Sequence, residues 1–328
     1  MQAFLQPGFW VFVLVMAGIY CIFALGLQIQ YGLGGMMNFG HVGMMALSAY
    51  SLAILVITYG WNLYLAAFAG VAVAALGGAL LGLTTIRLRG DYFAIVSIAF
   101  SEIVRYVIQN SDNFTGGTRG SLAIPSKSGA FTSYTKTFEP VLLKIQDLFS
   151  PIFGDVVNRD FAMLLIVWAT AGLLLLFVSR TQMTSWARVL RATREDDHVP
   201  SALGKNVFMF RLQALIFGSA IGGIAGIFWS LQFSILAPED FQSIVTFYGW
   251  MILIMGGATR VKGVPVGALF FGFLYAGTRF FEFPPFTWFT SAERAYLRII
   301  IIGLVLIILM IKRPQGMFGK REEMVLDQ

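Results

Sequence analysis

Apolar runs of roughly 17 to 25 residues recur along the chain, and that is the length a helix needs to cross about 30 Å of hydrocarbon. They are read near Phe9 to Gln28, Met36 to Thr58, Leu63 to Ile86, Tyr92 to Ile108, Phe161 to Val178, Leu212 to Leu231, Ile244 to Ala258, Val264 to Phe280 and Tyr296 to Ile311, nine in all. With 57% hydrophobic and 12% charged residues, a soluble core of this size would be unable to bury the apolar surface. The expected fold is therefore all-α, a single polytopic membrane domain over 1–328 with about nine spans. The run after Met1 to Gly8 lacks a preceding positive charge and is long, so the first span is expected to be retained.

The second run is irregular. GLGGMMNFGHVGMMALSAY places several glycines, Asn38 and His41 where a lipid-facing helix has neither, and it is expected to be broken or partly re-entrant. The single cysteine, Cys21, lies inside the first run, so neither a disulfide framework nor a metal cluster is expected. The net charge of +6 comes from basic residues scattered over short intervals, with no basic stripe of the kind nucleic acid requires.

The longest charged interval between two spans is Arg180 to Arg211, RTQMTSWARVLRATREDDHVPSALGKNVFMFR, with six Lys or Arg and the acids Glu195, Asp196 and Asp197. Basic intervals stay on the cytoplasmic side. Placing this one inside also puts Arg87, Arg89, Arg260, Lys262, Lys312, Arg313, Lys320 and Arg321 inside, which makes fourteen of the 23 basic residues. The N-terminus is then outside and the tail 312–328 cytoplasmic. The other side receives the region 109–160, ILAPEDFQS and FEFPPFTWFT. Trp10, Tyr59, Trp61, Tyr64 and Trp288 fall near the outer ends, as an aromatic belt would.

Gly77, Gly78 and Gly82 in the third run, and Gly218, Gly222, Gly223 and Gly226 in the sixth, sit at helical spacing, and small faces let helices approach in lipid. They are read as packing residues. Within the interval 180–211, Arg194 to Leu203 is predicted to form a short helix with acids in its first turn, favoured by the helix dipole, and Gly204 to end it. Val199 and Leu203, four apart, then share one apolar face.

Four stretches carry a family likeness: GGMMNFGHVGMMALSAY (Gly34 to Tyr50), TIRLRGDYFAIVSIAFSEIVRYVIQNSDNFTGGTRG (Thr85 to Gly120), REDDHVPSALGKN (Arg194 to Asn206) and KRPQGMFG (Lys312 to Gly319). In this order the chain resembles the branched-chain amino-acid permease family of ABC importers, in its LivM-type form, from about Tyr20 to Gly319. The resemblance implies a bacterial inner-membrane subunit paired with a second, LivH-type permease, two ATP-binding subunits and a periplasmic solute-binding protein. ATP and magnesium would then reside on the partner subunit, with no cofactor on this chain. It implies further that the interval 180–211 holds a short helix that docks in a groove of the ATPase subunit, with Arg194, Glu195, Asp196, Asp197, Val199, Ala202, Leu203 and Gly204 as the coupling residues. Val199 and Pro200 depart from the small, helix-favouring residues usual there, and Pro200 is expected to start or kink a helix. Cargo selection would lie largely in the binding protein, so leucine-like amino acids, other neutral amino acids and urea or short amides stay open.

Candidate pathway residues are Asn38, Gly40 and His41 in the interrupted run, Glu102 and Arg105 in the fourth run, and Thr115, Gly116 and Gly117 in NFTGGTRG. For His41, a structural bond to a carbonyl and contact with cargo are equal alternatives. Glu102 and Arg105, three apart, either pair structurally or mark a gate. Thr115 to Gly117 read as a turn, which the resemblance places over the outer mouth of the path. Asn113 with Thr115 matches a glycosylation acceptor, a pattern too short to weigh. There is no G-x-x-x-x-G-K-[ST] phosphate loop. An ion-coupled transporter would bury ionisable groups near mid-bilayer, and apart from Glu102 and Arg105 the runs are nearly free of them.

Overall fold

The computed structural model describes residues 7–85, 88, 90–126, 138–153, 158–258, 260–277, 290–312 and 317. Among these the chain is helical, with no β-strand. Arg87, Arg89, Arg313, Lys320, Arg321, Trp288 and most of FEFPPFTWFT lie outside the described residues.

Helix α1 (Pro7–Leu27) opens with a proline, whose missing N–H is spare in a first turn, and is apolar on every side. A helix without a polar face belongs at the centre, and α1 is buried along nearly its whole length. The helices around it come within backbone reach through glycine. A methyl group added at Gly18 would lie 2.6 Å from Val167 Cγ1, at Gly26 2.6 Å from the Gly218 carbonyl, at Gly249 2.6 Å from Phe23 and at Gly272 2.6 Å from Ala17. Those neighbours belong to α6 (Arg159–Thr181), α9 (Val207–Phe233), α10 (Ile244–Gly256) and α11 (Val264–Gly277).

Helix α9 is the second buried pillar and packs on α2 (His41–Ile57) and α3 (Leu63–Thr85). The small faces read from the sequence are these contacts: Gly78 meets Ser219, Gly223 meets Ala74 and Gly226 meets the Met45 carbonyl. Asn206 Oδ1 caps α9 by accepting from the Met209 N–H at 3.2 Å, and Asn158 does the same for α6 at 2.9 Å. Leu65, Phe68, Leu76, Leu80 and Leu83 of α3 stand exposed on the outer surface, the pattern of a face in contact with hydrocarbon.

Among the described residues four helices are long and apolar enough to cross a membrane: α1 with its continuation to Leu33, α3, α6 and α9. Helix α4 (Gly90–Asn110) is as long but carries Asp91, Glu102 and Arg105. The run Ile244–Ala258 forms α10, of 13 residues, and the described part of the run Val264–Phe280 forms α11, of 14 residues, the two bent by 109°. At 1.5 Å per residue α10 is about 20 Å long, short of a 30 Å core. The close approach of Gly256 and Gly263, where a methyl at Gly256 would lie 2.4 Å from the Gly263 carbonyl, makes the bend possible. The described residues of the region 109–160 include α5 (Glu139–Phe153), packed on α6. Helices α7 (Ser185–Glu195), α8 (His198–Ala202) and α12 (Ser291–Lys312) complete the chain.

Candidate functional site

The interruption expected in the second run is present, and it is fixed from four sides. After α1 the chain widens into a π-helical turn, Gln28–Leu33, and then runs without helix from Gly34 to Gly40 before α2 begins at His41. A helix start leaves backbone N–H groups without intrahelical partners, which inside a membrane must be met by protein. Here Phe39 N–H donates to Ser97 Oγ of α4 at 2.9 Å, Gly40 N–H to Asn38 Oδ1 at 2.9 Å and Val42 N–H to Thr246 Oγ1 of α10 at 3.0 Å. Asn38 also donates to Gln30 Oε1 at 3.0 Å, and its carbonyl accepts from Trp250 Nε1 at 3.1 Å. Gln30 reaches α9 by donating to the Leu215 carbonyl at 3.3 Å, with Ser219 Oγ at 3.5 Å. Gly40 is required by space, because a methyl there would lie 1.8 Å from the Ser97 carbonyl. Sequence reasoning named Asn38, Gly40 and His41 and missed Gln28, Gln30, Ser97, Thr246 and Trp250. Two glutamines closing an apolar run were the available signal.

His41 is wholly buried, with its ring 4.7 Å from that of Phe23 and between Gly26 and Gly222. The Phe23 carbonyl lies beside it. Neither ring nitrogen has a partner in hydrogen-bonding geometry among the described residues.

Further along α4, Arg105 pairs with Glu102 at 2.8 Å and reaches Glu239 at 3.6 Å. Glu102 also accepts from Ser243 Oγ at 2.7 Å. The pair therefore joins α4 to the chain that leads into α10. Thr115 Oγ1 donates to the Ser111 carbonyl at 2.9 Å, and Gly116 and Gly117 take φ of 81° and 57°, so Thr115 to Gly117 do form a turn. The 3₁₀ turn after it, Gly117–Ala123, docks on the same segment as Arg105: Ser121 N–H donates to the Leu236 carbonyl and Leu236 N–H to Ser121 Oγ, both at 2.9 Å. In that segment burial pushes the Asp240 carboxyl up, partly opposed by the Ala237 N–H donating to it at 3.0 Å. The Glu102 group and the Asn38 group meet at the first turn of α10, through Ser243 and Thr246.

The interval 180–211 differs from its expected form. Arg194 and Glu195 close α7 instead of opening a docking helix, because Asp196 is extended and its carboxylate accepts from the His198 N–H at 2.8 Å. The short helix is α8, with Asp197 at its N-cap, Pro200 buried within it and Ala202 as its last residue. Gly204, at φ 71°, ends it as predicted: its N–H donates to the Ser201 carbonyl and that of Lys205 to the Pro200 carbonyl, each at 3.0 Å. Asp197 is clamped by Arg211 of α9 at 2.6 and 2.9 Å, and Arg211 also donates to the Thr193 carbonyl at 3.1 Å. A rigid corner results, on which Val199 is 53% and Leu203 74% exposed.

Comparison with known proteins follows this geometry. Residues 9–310 match the family described as branched-chain amino acid transport system, permease component. The chain is 28% identical over 302 residues to the high-affinity branched-chain amino acid transport system permease protein LivM of Escherichia coli K12, covering 91% of this chain and 67% of that protein. It is 24% identical to a probable branched-chain amino acid transport permease protein LivM of Methanocaldococcus jannaschii, covering 94% and 93%. The LivH permease of Escherichia coli K12 is 22% identical, covering 92% of each. With a bundle around α1, a hydrogen-bonded helix break and a family match over nearly its full length, this chain belongs to the permease family of branched-chain amino acid transport systems.

Proposed function

We propose that this chain is one permease subunit of an ATP-driven, binding-protein-dependent importer of leucine-like and other neutral amino acids in a bacterial inner membrane. The observation that carries the coupling role is the α7–α8 corner: two apolar side chains, Val199 and Leu203, held in the open by the Asp197–Arg211 bridge. An exposed apolar pair on a clamped helix suits a groove in an ATPase subunit. The partners are two such subunits, which bind ATP and magnesium, a second LivH-type permease and a periplasmic solute-binding protein.

The distribution of loops supports the expected sidedness. The α7–α8 corner, the end of α1 and the α10–α11 bend with Arg260 and Lys262 share one end of the bundle, linked by Arg194 to Gly32 and Gln28 to Ala258. Pro125, Leu236, Arg105 and Arg159 cluster with the other helix ends. In this reading α10 and α11 are two legs among nine segments, with the N-terminus outside and the C-terminus in the cytoplasm. The path would run along the break from Asn38 to His41, with Glu102, Arg105 and the Thr115–Gly117 turn over its outer mouth.

The test is purification of the tagged chain from its native membrane, with and without Leu203→Glu. The unaltered chain should bring down an ATP-binding subunit and a second permease, and the binding protein that stimulates ATP hydrolysis identifies the cargo. Leu203→Glu should abolish uptake while the chain still inserts. Normal uptake by that variant sinks the coupling role, and a chain that comes out alone and moves solute down an ion gradient sinks the whole reading.

A further inference from the structure

We propose that Arg194 is a positioning residue that carries movement of the α7–α8 corner into the π-helical turn of α1, and does not itself dock against the ATPase subunit. The inference rests on the importer reading and deepens it. Arg194 is the last basic residue of α7, and its stem lies over Gly35, where an added methyl would be 2.8 Å from Arg194 Cγ. Its guanidinium donates to the Gly32 carbonyl at 3.2 Å and sits 5.8 Å from the Tyr31 ring. One turn earlier, buried Leu190 packs toward Gly34. The head group thus grips the backbone of this chain although part of the side chain remains open to solvent.

What it grips is the segment most able to respond. The π-helix is rare and is found frequently at functional sites. This one continues directly into the Gly34–Gly40 break, and it carries Gln30, the partner of Asn38. Gln28, in the same turn, donates to the Ala258 carbonyl at 2.8 Å and so ties it to the α10–α11 bend. The Asp197–Arg211–Thr193 contacts make α8 and the end of α7 one body. A push on α8 therefore reaches Gly32 through one charge-assisted hydrogen bond, and from there the side chains that hold the break.

The experiment uses the complete complex, both permeases with ATPase subunits and binding protein, in vesicles, and reads cargo molecules transported per ATP hydrolysed. Arg194→Gln should keep the ATPase subunit in the purified complex and lower that ratio at least tenfold. Arg194→Lys, which retains a cationic donor, should recover half or more. Arg191 is the control: it lies on the same helix and bonds the Ala187 and Gln182 carbonyls, in its own helix and the turn before it, so Arg191→Gln should hold the ratio. An unchanged ratio in Arg194→Gln overturns the proposal while the importer reading stands, since the ATPase subunit is still bound. Loss of the ATPase subunit in Arg194→Gln alone makes Arg194 a docking contact and also overturns it. An equal fall in Arg191→Gln assigns the effect to the charge of α7 and does the same.

Discussion

Replacing Gly222 with alanine should destabilise the bundle through one side chain. The new methyl would stand 2.5 Å from His41 Nε2 and 2.8 Å from Cε1, where ordinary contact begins at 3.4 Å, so the ring must give way by nearly 1 Å. It has no free direction. A methyl at Gly26, on α1, would itself lie 2.7 Å from Nε2, and the Phe23 ring, tilted by 57°, lies 4.7 Å away. Overpacking of this kind costs about 1–3 kcal/mol, and in chains somewhat smaller than this one each kcal/mol lowers Tm by roughly 2–4 °C. A thermal melt of the detergent-solubilised protein should show a fall of several degrees for Gly222→Ala. Removing the imidazole makes room, so His41→Ala with Gly222→Ala should be more stable than the sum of the single losses by about 1–2 kcal/mol. A Gly222→Ala melt within experimental error of the unaltered protein refutes the packing argument, and strictly additive losses refute the role of His41 in it.

Gly120 takes φ of 62°, and a methyl there would lie 1.8 Å from the Leu236 carbonyl, so Gly120→Ala should part the two outer loops, seen as faster proteolysis at 117–123 and 235–241. Arg105→Met should cost about 1–2 kcal/mol by leaving Glu102 with Ser243 alone, and Glu102→Gln in the same chain should restore most of it, read from the same melts. Asn38→Ala removes the acceptor of the Gly40 N–H and the donor to Gln30 in a buried setting; a loss of about 1–3 kcal/mol is expected, with little change if the break is not held by this side chain. Burial raises the Asp240 carboxyl, so its contribution is fully present below the ordinary carboxylate value and fades as pH rises through the raised one. Asp240→Asn should flatten that part of the stability profile between acid and neutral pH, and Asp240→Ala, which also removes the bond to Ala237, should flatten it likewise and cost about 1 kcal/mol more than Asp240→Asn.

The helices were legible because run length speaks locally, and Gly204 ends α8 for the reason its sequence position suggests. The glycines of α9 were legible as a packing face, though not which carbonyls they admit. The acids at 195–197 misled, since a dipole argument favours them in a first turn, whereas Asp196 used its carboxylate on the His198 N–H and broke the helix instead. Gln28 and Gln30 escaped notice because their partners, Ala258 and Leu215, are far away in the chain. The 109° between α10 and α11 is likewise set by the Gly256–Gly263 contact, which no period or propensity encodes.

The α10–α11 pair bears on how the protein is made. A segment that enters the membrane on its own must be long enough to bury both ends of its backbone, and α10, at 13 residues, is not. Its release from the ribosome therefore has to be followed by joint entry with α11 against α1, which is already in place. Until that docking Gly249 and Gly272 face lipid instead of Phe23 and Ala17, so the closing stage of biogenesis is the one at which a weakened contact there would expose the nascent subunit to quality-control proteases.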